Sequence, residues 1–354
     1  MIMRFRGKKI TSMLGILPET IGDFDDEANN YSFPVKQTMR LKKLMGYNQH
    51  RLAKTESTVS DFAVYGMNYI INNKWIRREE IGAIITVTLC PDYFVPHISN
   101  IVHDKLNLES DVICYDIAQG CCGFLVGLSQ AFMLLEHMEK KVVLINGDVI
   151  SHKVSKRDRN DYPLIGDACT ITIIENGGND DIYYEMHTDG KKADVLKIPA
   201  GGFRMPSSSE TAVIVDQGDG NFRSLDNICM DGSGVFNFVQ KEIPPMLSSA
   251  FDRENKSIDD FDWFLFHQPN RFMLQKLAEK SNIPFDKMPM NLVENFGNPS
   301  GASIPLTAIY NCKTDLINNR NKCCLAAFGS GLSWGVMFTI IGKLDNCELL
   351  ESNL

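Results

Sequence analysis

The chain has 354 residues, 44% hydrophobic and 23% charged, which suits a globular protein of one large domain or two halves of about 150 to 180 residues each. A formal net charge of -8 argues against the broad basic face of a nucleic-acid binder, so any anionic ligand must meet a local basic patch. No stretch nears the roughly 18 apolar residues that cross a bilayer, so no membrane association is expected.

The opening, MIMRFRGKKITSM, carries positive charge without a following apolar segment. No signal peptide is expected, and the 10 cysteines should be reduced thiols of a cytoplasmic protein. None forms a CxxC pair, and His97 and His103 have no cysteine at zinc-site spacing, so no metal is expected. Short β-rich runs then follow one another: GAIITVT (82–88), DVICYDI (111–117), KVVLINGDVI (141–150) and ACTITIIE (168–175). Between the second and third, CGFLVGLSQAFMLLEHME is apolar at 124, 128, 131, 132 and 135, a helical period. The unit reads as βαβ within a largely parallel sheet. Residues 176–225, rich in Gly, Asp, Ser and Pro, read as loops and hairpins. The theme returns in WFLF (263–266), a helix around Phe272 to Lys280, CCLAAF (323–328) and GVMFTIIG (335–342). Two similar α/β halves, 1–178 and 179–354, are predicted.

The stretch DIAQGCCGFL (116–125) places Cys121 and Cys122 where a strand gives way to a helix, with Gly120 and Gly123 permitting a tight turn. A helix N-terminus supplies unpaired N–H groups and partial positive charge, which lower a thiol pKa and stabilise an oxyanion. That suits a nucleophile forming a thioester. On this segment alone, two small thiols packed in the core would read the same. Three further stretches could supply a nucleophile's partners. FLFHQPNRFM (264–273) ends a strand with His267, ENFGNPSGASIPLTA (294–308) centres Asn298 in a turn before a helix, and AFGSGLSWG (327–335) is a glycine-rich loop suited to presenting backbone N–H groups.

In this order the segments resemble the ketoacyl-acyl carrier protein synthase III family of thiolase-like condensing enzymes. ITSMLGILPE is similar to the family's opening strand, DIAQGCCGF to its nucleophile turn, GDVISHKVSKRDRNDYPLIGDAC to its post-strand loop and HTDGKKADVLKIPAGG to its mid-chain hairpin. HQPN, NFGNPSGAS and AFGSGLSWG look like its HQAN, GNTSAAS and GGGFTWG segments. The resemblance implies an α/β, thiolase-like fold: five layers, αβαβα, from two halves related by a pseudo-twofold axis, usually in a homodimer. It also implies that Cys121 is the nucleophile, that Cys122 packs, and that His267 and Asn298 complete a triad. An acyl group would pass from coenzyme A or a carrier protein to Cys121. Malonyl on an acyl carrier protein would then lose CO2 and attack it, giving a 3-oxoacyl carrier protein. By the same resemblance the backbone N–H groups of Cys121 and Ser330 form an oxyanion hole, with Gly329 and Gly331 contacting substrate around it. Asn270 supports the pocket or, as its position equally suggests, caps the next helix.

The family's entrance Trp and Arg have no counterpart: residues 20–60 contain no Trp, and Asn48 in MGYNQHRL (45–52) stands where the Arg would. Lys153, Lys156, Arg157 and Arg159 keep a basic cluster, with Arg159 on a nucleotide-contacting position. Arg271, Lys276 and Lys280 start a basic helix that would attract an acidic carrier protein. In CPDYFVPHI (90–98), Val95 or its neighbour Phe94 would cap the acyl pocket near the dimer interface, and a side chain smaller than the family's Phe implies a primer longer than acetyl. Coenzyme A and phosphopantetheine thioesters enter as substrates, and no cofactor is expected. A degradative thiolase would need a second cysteine where Ala327 and Phe328 stand, whereas Cys323 and Cys324 read as core. Acyl transfer to a non-carrier acceptor in secondary-metabolite or glycan synthesis, and a non-catalytic subunit of a heterodimer, are the alternative readings.

Overall fold

The computed structural model describes residues 1–218 and 220–354. Nine strands form one sheet: β1 (Ile2–Pro18), β2 (Ile81–Thr88), β3 (Ile113–Ala118), β4 (Lys141–Asp148), β5 (Ala168–Thr188), β6 (Trp263–Phe266), β7 (Arg320–Gly329), β8 (Ser333–Gly342) and β9 (Asn346–Ser352). Their order is β6-β7-β8-β5-β4-β2-β3, with β1 alongside β5 and β9. As the βαβ pattern requires, β2 runs parallel to β3 and β4, while β5 is antiparallel to β4.

The strand predicted to end at 175 continues to Thr188, through a segment of Asn, Gly and Asp. Its tertiary partner is the reason: β1 lies antiparallel along β5, from Ile16 opposite Cys169 to Ile2 opposite Glu185, and satisfies backbone groups that weak strand formers would otherwise leave in a loop. The first part of β5 also pairs with β4 and its last part with β8. Residue 178, the predicted boundary between halves, therefore falls inside a shared strand. There Gly178 takes φ 75° and β1 shifts register between Arg6 and Lys8, which bends the ribbon between the two halves.

Seven longer helices cover the sheet: α1 (Val35–Met45), α2 (Val59–Asn72), α3 (Ile98–Lys105), α4 (Gly123–Leu134), α5 (Gly232–Glu254), α6 (Arg271–Ser281) and α7 (Ser303–Asn318). Alternation along a strand sends successive side chains to opposite faces. From β2, Ile84 packs with Phe62 and Met67 of α2 and Val102 of α3, whereas Ala83, Ile85 and Val87 pack with Phe124 and Leu128 of α4 and Ile304 of α7. From β7, Cys323, Leu325 and Ala327 enter that same central layer, while Cys324, Ala326 and Phe328 pack with Val239 of α5 and Leu274 of α6. The layers run α2/α3, sheet, α4/α7, sheet, α5/α6, the five-layered thiolase-like arrangement expected. Cys323 and Cys324 are fully buried, as core residues. Among the described residues no helix is long and apolar enough to cross a membrane, and no group of three or more His, Cys, Asp or Glu side chains could hold a metal ion.

Candidate active site

Residues 119–122 turn the chain from β3 into α4. Cys122 is the N-cap of α4 and is buried, its thiol donating to the Ser333 carbonyl at 3.3 Å. Cys121 is only partly buried and lies where two cavities meet. The larger, about 740 Å³, is lined by Cys121, His267, Asn298, Asn270, Arg159 and Gly329 among others. The smaller, about 300 Å³, continues from Cys121 and Asn298 past Ser300 and Ser330 to a mainly apolar wall including Leu89, Ile150, Ile165 and Ile228. Three side chains from separate parts of the chain thus face one space.

The β7–β8 turn presses directly on the cysteine. A Cβ at Gly329 would stand 2.5 Å from the Cys121 Cβ and 2.6 Å from its Sγ, so only glycine lets this loop approach. The approach places the backbone N–H of Ser330, together with that of Cys121 itself, beside the Cys121 sulfur.

The expectation that the helix terminus favours thiolate is overturned. Burial pushes the Cys121 thiol up to about 11; the Ser330 N–H opposes this, the Asp148 carboxylate adds to it, and the Cys121 N–H and the Ser300 hydroxyl pull the other way. The helix begins two residues later, with Cys122 at its cap, and desolvation of an anion in a cavity outweighs what a helix end returns. At pH 7 the resting group is a thiol. Because its pKa lies above the working range, the thiolate fraction rises with pH. Carbamidomethylation of Cys121 by iodoacetamide, followed by peptide mass, should accelerate about tenfold per pH unit from roughly 7 to 10. A rate already flat at neutral pH would mean that the fold holds the thiolate.

His267 directly follows β6, its backbone N–H donating to the Ala326 carbonyl at 2.8 Å. Its Nδ1 lies 2.7 Å from the Ser303 Oγ, and the Phe328 ring meets the imidazole edge-on with centroids 5.6 Å apart. Burial lowers its pKa to about 3, so the imidazole is neutral. The Ser300 backbone also hydrogen-bonds the ring; if the Ser303 hydroxyl donates to Nδ1, the ring hydrogen sits on Nε2. Sequence reasoning missed Ser303 and Phe328. Their only signal was adjacency, Ser303 inside the GASIP run and Phe328 before Gly329.

Asn298 is delivered by a close crossing of two loops. Its N–H donates to the Leu164 carbonyl at 2.8 Å and its carbonyl accepts the Gly166 N–H at 3.3 Å. Gly297, at φ 78°, could carry no side chain here: a Cβ would lie 2.7 Å from the Gly166 Cα. The Asn298 Oδ1 accepts the Ser300 N–H at 3.0 Å, which leaves the amide's NH2 end as the donor.

The chain has close parallels among known proteins. Residues 115–190 match the family model 3-Oxoacyl-[acyl-carrier-protein (ACP)] synthase III, and residues 251–340 match the model of its C-terminal part. A beta-ketoacyl-[acyl-carrier-protein] synthase III of Natranaerobius thermophilus is 31% identical over 82% of this chain and 87% of its own. One from Clostridium acetobutylicum is 30% identical over 82% of this chain and 86% of its own. The crystal structure of a 3-oxoacyl-(acyl-carrier protein) synthase from Burkholderia xenovorans LB400 is 29% identical and superposes with a TM-score of 0.91, covering 99% of both chains. This chain belongs to the 3-oxoacyl-[acyl-carrier-protein] synthase III family. It is an acyltransferase of the condensing-enzyme type.

The remaining residues assigned from the synthase III resemblance fare unevenly. Asn270 does both things considered for it, lining the larger cavity and capping α6 by accepting the Met273 N–H at 2.8 Å. Arg159 lines the same cavity, its guanidinium carbon 3.3 Å from the centre of the Phe33 ring. Gly331, at φ 138°, serves the turn and lines neither cavity, unlike Gly329. Phe94 and Val95 are 65% and 78% exposed, and Phe94 packs on Phe203. Their segment leaves β2 across the surface, and within one chain neither lines either cavity. The α6 cations assigned to carrier docking already have partners within the chain. Arg271 is paired with Glu294 at 2.8 Å and donates to the Lys43 carbonyl, Lys276 is paired with Glu279 at 2.7 Å, and Lys280 donates to the Gln240 carbonyl. The α6 cations are thus held within the molecule.

Proposed function

We propose that this synthase condenses an acyl thioester with malonyl on an acyl carrier protein, through an acyl group carried on Cys121. The observation that carries the reading is the convergence of Cys121, His267 and Asn298 on one cavity that continues, at the sulfur, into a second and mainly apolar one. The primer thioester enters the larger cavity and the Cys121 sulfur attacks its carbonyl. The Cys121 and Ser330 N–H groups receive the oxyanion, the carrier thiol departs with the proton, and the acyl chain lies in the smaller cavity. Malonyl thioester then takes the vacated place. Loss of CO2 throws charge onto its thioester oxygen, where His267 Nε2–H and the Asn298 NH2 donate. The enolate carbon attacks the acyl carbon and Cys121 leaves. A neutral imidazole suits this task, because a donor aimed where charge develops accelerates the step without having to exchange a proton.

The carrier protein would dock at α1 instead of α6. The α1 sequence VKQTMRLKKLM has four cations and no acid, Lys36, Arg40 and Lys43 are exposed, and Leu41 and Met45 line the larger cavity. A second copy would cover β3, the terminal strand of the sheet, with Ile113 exposed on it and Leu89, Phe94 and Val95 exposed nearby. In such a homodimer the Phe94–Val95 segment would close the partner's smaller cavity.

Incubation with acyl thioesters, on coenzyme A and on carrier protein, together with malonyl-carrier protein is expected to release CO2 and form 3-oxoacyl-carrier protein in equal amounts. Acyl transfer to water or an amine without that product would overturn the reading.

A further inference from the structure

The smaller cavity has one residue that its apolar wall does not explain. Asp161 lies among Leu164, Ile165, Ile198 and Ile228, is 2% exposed, and has no hydrogen-bond partner on either carboxyl oxygen among the described residues. The cations around it are committed elsewhere: Arg223 pairs with Asp158 at 2.7 Å and Lys197 with Asp194 at 2.6 Å. The Arg223 charge and the Met230 amide N–H act on Asp161 in favour of its ionised form. Burial first, and then the neighbouring Asp158 carboxylate, push the Asp161 carboxyl up to about 8. At neutral pH it is mostly an uncharged acid, able to donate from one oxygen and accept at the other.

A buried polar group without a partner is costly, and one that borders a substrate cavity gains its partner when the right ligand arrives. A plain hydrocarbon chain would leave both oxygens unpaired. An alcohol is the complementary group, since a hydroxyl gives one hydrogen and takes another. We propose that this cavity selects an acyl primer bearing a hydroxyl group on its chain, and that Asp161 is the residue that recognises it. The proposal rests on Cys121 as the acyl acceptor.

Intact-mass kinetics of loading, with butanoyl, 3-hydroxybutanoyl and 4-hydroxybutanoyl thioesters on coenzyme A and on carrier protein, tests this. One hydroxyacyl donor should load Cys121 at least about 30-fold faster than butanoyl, a floor well below the roughly 10⁴-fold by which a site built to hydrogen-bond a group rejects an analogue lacking it. Asp161→Leu should lose that preference, bringing the hydroxyacyl and butanoyl loading rates together. Asp161→Asn, which retains a donor and an acceptor of the same shape, should keep most of it. Equal or faster butanoyl loading by the native enzyme, or an undiminished preference in Asp161→Leu, would overturn the proposal. Should Asp161→Leu not fold, the native enzyme's ratio and that of Asp161→Asn still decide. Failure of every donor to load while Cys121 still alkylates would instead remove the acyl-cysteine reading, and this inference with it.

Discussion

Cys121→Ala is expected to gain no acyl mass from any thioester and to lose condensation by about 10³-fold or more, the usual cost of deleting a covalent nucleophile. The neighbouring thiol cannot replace it. Cys122 is buried on the other side of the turn with its sulfur directed to the Ser333 carbonyl, and reaches neither cavity. Cys122→Ala should therefore load normally. Because Cys121 is partly exposed at a cavity wall, removing its sulfur should leave the fold intact, and matching thermal transitions for the two variants would establish that the loss is chemical. Loading that survives in Cys121→Ala would place the acceptor elsewhere.

Removal of His267 or Asn298 should divide the reaction in two. Both are assigned as donors to the second substrate, so Cys121 should still load in His267→Ala, while CO2 release and condensation fall by about 10² to 10³-fold, as for loss of one oxyanion donor. The depressed basicity of His267 makes the distinction sharp, since an imidazole with a pKa near 3 is a poor acceptor for a thiol proton. If His267 were instead the base that ionises Cys121, loading would fall in step with condensation. For Asn298 the cleaner variant is Asn298→Asp. It keeps the oxygen that accepts the Ser300 N–H, and with it the loop, but replaces the NH2 donor by a second oxygen that repels an enolate. It should load and fail to condense. The double variant should be little worse than either alone, because the two donors serve one oxygen.

Much of this site is legible in the residues themselves. The turn around Cys121, the strand ending in His267 and the glycine-bounded Asn298 are local patterns, and the order in which they occur carries the family resemblance. Where sequence reasoning fails, the missing partner lies far along the chain. β1 extends β5 through a segment that reads as loop. Glu294 and the Gln240 carbonyl engage Arg271 and Lys280 of α6, which were expected to meet a carrier.

Residue types and their spacing determined which side chains could react, because strand and helix periods and tight glycine turns depend on neighbours within a few positions. The folded molecule alone decided their protonation states, that both cavities meet at one sulfur, and that an acid stands unpartnered in the wall of the second. Those properties depend on how much water is excluded and on which groups arrive from distant segments. Burial raised Cys121 against the expectation drawn from the helix end, and it lowered His267, since desolvation is set by everything packed around a group and local sequence records only a small part of that.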